Sequence, residues 1–417
     1  MEDDKEHDND SNIEKKENSG EKKKIIEIVN NVKPEIIIEY CYGIFRFQLV
    51  DGDLRSPNWK AKAFGAFIIS IYTTVFFCLL FLTGANSIND TYKFLDSVDE
   101  IPTFVVIFQY AASMIAANFI IGSMNIRMVT LLAEVDTTLQ VETCTDFYKK
   151  FGSKLNKYLV VLIITHIING AVDLYSVSNV QWALTVFLIY FIQKLEVFIF
   201  CTYVMMLNRR LVLVNSYLKE FIQEQDKKNV TVFTVRDKKV KTEKMLNFIG
   251  RPSVRNMKIR DLATTYDNIG EICSMINDVF NFQIFLTLVS AFTYIVITMW
   301  ASLSFYRTTA EYQISQLINN MIWCFNTICN VATMSFTCER LLITRNETRI
   351  LVNKIIMNYN LPKTMRVQAK AFMELVEAWP LRIYVYDMFS IDIKLMLKFI
   401  SVATTYLIVI IQISHFI

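Results

Sequence analysis

Charge is scarce in this sequence. Asp, Glu, Lys and Arg make up 20% of its 417 residues and nearly cancel, to a net +3. A typical soluble domain carries about a quarter. So balanced a chain offers no electrostatic footprint for nucleic acid. There is no Gly-rich phosphate loop, no Cys/His pair with metal-ligand spacing, and only three histidines. The eight cysteines are scattered at 41, 78, 144, 201, 273, 324, 329 and 338. Cys324 and Cys329 share an apolar run without a nearby histidine, so packing explains them better than metal. No nucleophile–base pair lies at a shared depth. No enzyme and no cofactor is expected.

Apolar residues are plentiful: 53% of the chain, with 13% aromatic. They are bunched into seven runs long enough to cross a bilayer. These are Ala63 to Gly84, Ile101 to Ser123, Tyr158 to Val177, Val180 to Leu207, Val279 to Leu303, Leu317 to Cys338 and Leu395 to Phe416. The third and fourth are joined only by Ser178-Asn179, which predicts an antiparallel helical hairpin. The fold class expected is an all-α membrane protein of seven transmembrane helices.

Up to Lys24 the only large apolar residues are Met1 and Ile13, among mixed acids and lysines. This is no signal peptide, and residues 1–33 read as a disordered charged tail. A pre-membrane segment, 34–62, follows it.

Lys and Arg set the orientation. Eleven precede the first run, five lie between Asn125 and Lys157, fourteen between Asn208 and Asp278, and nine between Glu339 and Lys394. The opposite side has only Lys93 and Arg307; Lys194 and Lys398 lie within runs. The N-terminus is therefore expected in the cytoplasm and the C-terminus outside. A G-protein-coupled receptor sits the other way and needs a cytoplasmic tail, so no G protein is expected as partner. The sequon Asn89-Asp90-Thr91 falls on the outer side, although Asn229-Val230-Thr231 and Asn346-Glu347-Thr348 match on the inner side.

The inner loops are long. Ile259, Leu262, Tyr266, Ile269, Cys273, Ile276 and Phe280 step by 3 and 4, a helical stripe running into the fifth span from the 208–278 loop. Either it packs within one subunit or it forms a bundle where subunits meet. Val367 to Ala378 reads as a short amphipathic helix closed by Trp379-Pro380, in an anchor region at 339–394. Lys227 to Arg255 is highly charged and poorly patterned, and reads as a flexible loop.

Polar residues inside the spans are costly and face cavities or partners. His166 and Asp173, seven apart, share a face of the third span. Asp173 could equally sit in the headgroup region. Lys194 and Glu196 point in different directions from the fourth. Gln109, Tyr110, Tyr175, Gln181, Trp182, Trp300, Asn320 and Trp323 lie in outer halves, where a ligand pocket and an aromatic belt compete as explanations. Trp182 suits the belt; Tyr110 and Trp323, deeper, suit a pocket. On the last run, Ser401, Thr405, Ile408, Gln412 and His415 step by 4 and 3 and share one face. A mostly polar stripe there must face a partner helix or water. Hydroxyl back-bonding and a helix-gluing Gln412 account for it in a helix taken alone.

The ending Thr405-Tyr406-Leu407-Ile408-Val409-Ile410-Ile411-Gln412-Ile413 resembles the C-terminal signature of insect gustatory receptors: Thr-Tyr, five apolar residues, Gln, Phe. Ile413 stands where the family has Phe. The stretch Phe389-Ser390-Ile391-Asp392 before it is also similar, and with the span count and orientation the resemblance covers the whole chain. Odorant receptors share the architecture but fit this ending less well. The resemblance implies a tetrameric, ligand-gated cation channel in the plasma membrane of sensory neurons, assembled alone or with other gustatory receptors. It implies that the seventh helix lines a central pore, with Gln412 and Ile413 at the constriction. It places the pocket for a small-molecule tastant in the outer half of the first six helices. Leu407 occupies the position where sugar-sensing members often carry Glu, which favours a bitter or other plant compound. Four copies of the stripe would line a narrow, uncharged conduit that an apolar ring can close by dewetting, with poor discrimination among monovalent cations. A secondary transporter relaying protons through His166, Asp173, Lys194 and Glu196 is the alternative, though no internal repeat and no Gly- or Pro-broken pair of spans supports it.

Overall fold

The computed structural model describes residues 3–50, 52–85, 90–141, 147–176, 180–234, 259–308 and 314–416. The Ser178-Asn179 turn and the sequon's Asn89 lie outside the described residues, as does most of the Lys227–Arg255 stretch. So do the side chains of Ile413 and His415.

The chain opens on helix α1, Asp3–Cys41. Of the tail expected to be disordered over 1–33, the part from Lys24 on is packed helix instead. Beyond Lys24, residues Ile25, Ile28, Val29 and Val32 recur at helical spacing and are all buried. Even Lys24 is buried, its Nζ donating to the Asp136 carbonyl at 2.9 Å. The charged run before it hides a stripe that begins only where the acids thin out. A small antiparallel hairpin, β1 (Gln48–Val50) with β2 (Asp53–Arg55), follows.

Helices occupy all seven apolar runs. They are α2 (Trp59–Ala85), α3 (Asp90–Ile115), α5 (Phe147–Ser176), α6 (Val180–Thr234), α7 (Ile259–Thr308), α8 (Ile314–Met357) and α10 (Ile393–Phe416). A π turn at Ala116–Ile120 joins α3 to α4 (Gly122–Thr138). Among the described residues five helices are long and apolar enough to span a membrane: α2, α3 with its π turn, α5, α6 and α7.

The segment 339–394, expected as anchor helices, is largely helix, and so is the described part of 208–278, expected as loop and helix. α6 is 55 residues and α7 is 50, so each reaches roughly 75–80 Å, well over twice a bilayer core. The extension has a cause in the sequence: Leu211, Val214 and Leu218 prolong the apolar face of α6 beyond the run and are fully buried. The α7 stripe, from Ile259 to Phe280, is buried at every position. α9, Lys363–Ala378, turns Ala369, Phe372 and Val376 inward, and a two-residue hairpin (β3 Tyr384–Val385, β4 Phe389–Ser390) leads into α10.

α9 is docked through Trp379. Its Nε1 donates to Asp267 at 2.7 Å, and its carbonyl accepts from the Tyr266 hydroxyl at 2.9 Å. A Cβ on Gly270 would lie 2.3 Å from the indole, so only glycine lets the ring seat on α7. Burial is uneven within the membrane-length windows: 67% of the α6 window is buried but only 11% of the α2 window. α6 is the central post, and α2 turns Phe64, Phe67 and Phe77 outward, as lipid contact requires.

Candidate functional site

Three polar sites interrupt the apolar bundle. The first lies between α5, α6 and α8. Gly170 permits it, because a Cβ there would meet the Phe187 ring at 2.4 Å. With no side chain in the way, Phe187 lies against α5 and stacks on His166, centroids 4.2 Å apart. His166 Nε2 is 2.9 Å from the Phe187 carbonyl, and its Nδ1 is 3.2 Å from the Lys194 Nζ. Lys194 also sits 5.2 Å from the centre of the Trp323 ring. Asp173 Oδ1 accepts from Asn319 at 2.7 Å, and the Trp323 indole donates to the same carboxylate. Tyr190 and Tyr294 pack on Trp323 at 5.3 and 6.4 Å, and Asn326 donates to Asn169 at 3.0 Å.

Of the expected pocket residues, Asp173 and Trp323 meet here. Gln109 belongs to an adjoining polar ladder: its Nε2 donates to Thr287 at 2.7 Å and its Oε1 accepts from Gln193 at 3.0 Å. Tyr110 is buried but commits its hydroxyl to the Tyr42 carbonyl at 2.7 Å. Trp300 and Asn320 are half-buried. Tyr175, at 86% exposure, stands on the surface away from the group, because its position on α5 turns it outward. Asn169, Tyr190, Tyr294, Asn319 and Asn326 were not anticipated. A signal existed, since Asn169 and Asp173 are four apart and Asn319, Trp323 and Asn326 step by 4 and 3.

The second site is a buried ion-pair cluster at the foot of α1. Arg46 donates through Nε to Glu39 at 2.8 Å and through a terminal nitrogen to Glu196 at 2.7 Å, with its guanidinium 5.0 Å from the centre of the Phe280 ring. Glu35, one turn from Glu39, is buried with Oε1 unpartnered. Burial, and then the Glu39 charge, push its carboxyl up to about 9. Glu196 therefore has its partner on another element, and Lys194 does not share it.

The third site is α10. Its Phe399 and Tyr406 rings meet Phe292 of α7 edge-on at 6.3 and 5.4 Å. Ser401, Thr405, Ile408 and Gln412 are exposed in the single subunit, and Thr405 back-bonds to the Ser401 carbonyl at 2.9 Å. Tyr406 of the terminal motif thus faces α7, whereas Thr405 and Gln412 lie on the uncovered stripe. Among the described residues no three His, Cys, Asp or Glu side chains gather to hold a metal ion.

A family model described as 7tm Chemosensory receptor matches residues 39–415. No curated protein matches the chain by sequence. Among solved structures, the insect olfactory receptor OR5 from Machilis hrabei is similar with a TM-score of 0.62 at 12% identity, covering 93% of this chain and 99% of that one. The same receptor in complex with eugenol gives a TM-score of 0.60 at 10% identity, over the same shares of the two chains. At these identities the likeness is one of fold.

Proposed function

Because the chain belongs to the 7tm chemosensory receptor family, and so is a multi-pass membrane receptor rather than an enzyme, we propose that it is a gustatory receptor. It acts as a ligand-gated, non-selective cation channel for a small tastant, a plant compound rather than a sugar. Its N-terminus is cytoplasmic and its C-terminus outside, in the plasma membrane of sensory neurons. Four copies, alike or mixed with other gustatory receptors, surround a pore lined by Ser401, Thr405, Ile408, Gln412 and Ile413.

One observation carries this reading. α10 touches α7 through Phe399 and Tyr406, and most of its other described side chains, the weakly polar stripe among them, stay uncovered. A helix that leaves hydroxyls and an amide uncovered at membrane depth calls for water or a second copy beside them. The pocket is assigned to the group around Asp173, Asn319 and Trp323, where aromatic walls carry a few converging polar atoms. The solved neighbour bound to eugenol supports a small organic ligand.

The test is electrical. Cells expressing the receptor are perfused with plant compounds under G-protein blockade, and currents are recorded. Ligand-evoked current that persists, and whose reversal potential moves when Gln412 is replaced by Ala or Glu, supports the proposal. Well-trafficked receptor that passes no current with any compound contradicts it.

A further inference from the structure

We propose that Lys194 anchors an acidic group of the ligand, so that the receptor answers to small organic anions such as aromatic carboxylates. The inference rests on the pocket assignment above and names the class of compound it takes.

Lys194 is buried, 7% exposed, in the first third of the central post α6. Side chains on a helix lean toward its N-terminus, so the Lys194 stem rises toward the outer end of α6 in the proposed orientation. Its neighbours are neutral. An ammonium can only donate, so His166 Nδ1, 3.2 Å away, is an acceptor. The ring proton then sits on Nε2 and is donated to the Phe187 carbonyl at 2.9 Å. Trp323 supplies a ring face at 5.2 Å.

Among the described residues no carboxylate pairs with Lys194. Glu196, two positions on, points to another face and is held by Arg46 at 2.7 Å. Asp173 is engaged by Asn319 and by the Trp323 indole. Trp323 therefore meets the cation on its face and the carboxylate at its indole nitrogen. A positive charge buried without a counter-charge is costly, and such groups inside spans face a ligand or a pathway. A carboxylate entering from outside would supply the missing charge. It would take a charge-assisted hydrogen bond from a nitrogen already oriented by His166, and the aromatic walls of Phe187, Tyr190 and Trp323 would hold its ring.

The experiment uses full-length receptor in lipid nanodiscs and matched probes: benzoate with benzamide, and cinnamate with cinnamamide. Binding is read by calorimetry and by thermal shift, separately from current. Each carboxylate should bind at least about tenfold more tightly than its amide, as a charge-assisted hydrogen bond implies. Lys194→Met, which keeps the apolar stem, should abolish that preference without lowering the unliganded melting temperature. Lys194→Arg should keep it. Equal binding of acid and amide overturns the inference, as does a preference that survives in Lys194→Met, or no binding of any probe to a folded receptor. Acid preference without current would leave the inference standing and sink the channel reading. Current evoked equally by acids and amides would do the reverse.

Discussion

Single side chains decide more here than their number suggests. Glu35 is held protonated by burial, its carboxyl pushed from 4.5 to about 9. In the unfolded chain it ionises at its ordinary value. Its contribution to stability is therefore complete below about pH 4.5 and is lost as the pH rises toward 9. Purified receptor should melt at a lower temperature at pH 9 than at pH 6, and Glu35→Gln should shrink the difference; an unchanged difference would remove Glu35 from the account. Gly270 offers a second residue-level prediction. Gly270→Ala drives a Cβ to within 2.3 Å of the Trp379 ring and should destabilise by about 1–3 kcal/mol. Gly20→Ala, where nothing lies within 4 Å, should be neutral or slightly stabilising in the same thermal melts. These constraints were not legible beforehand. Arg46 and Glu196 are 150 positions apart, and Lys194 and His166 are 28 apart, so no local pattern joins them. What could be read was that Lys194 and Glu196 would need different partners.

At the scale of elements, periodicity carried the information. The α7 stripe from Ile259 to Phe280 was visible because every third or fourth residue is apolar, and every one is buried. The same logic placed α9 within a few residues. It failed at α1, where the stripe of Ile25, Ile28, Val29 and Val32 follows a long charged run and the composition of the whole segment masks it. It also failed to show how far α6 runs, because a helix leaving a membrane changes its hydrophobicity without changing its geometry. α10 is the proposed pore helix, and among the described residues Phe292 meets two of its rings. Phe292→Ala should loosen α10 from α7, and whole-cell recordings should then show raised current without ligand; a silent, normally trafficked variant would argue that this contact does not hold the closed state.

For the whole molecule, the proposed division into a membrane bundle and a cytoplasmic helical mass rests on where charge was withheld. Lys and Arg gather in four segments and are nearly absent from the rest. The long helices α6, α7 and α8 run continuously from one zone into the other. The family was legible from the nine-residue Thr405–Ile413 motif together with the span pattern, and the match over 39–415 agrees with it. The buried partners of Lys194 were not legible, because His166 lies 28 positions away and Trp323 on another helix, so only packed side chains bring them together.

In the proposed channel α10 lines an axis shared by several copies. Single-particle imaging of the purified full-length receptor in nanodiscs tests it most directly. Particles of four-fold symmetry are expected, with residues 393–416 ringing the axis and Gln412 turned toward it. Solitary particles, with that helix bathed in lipid, would contradict it.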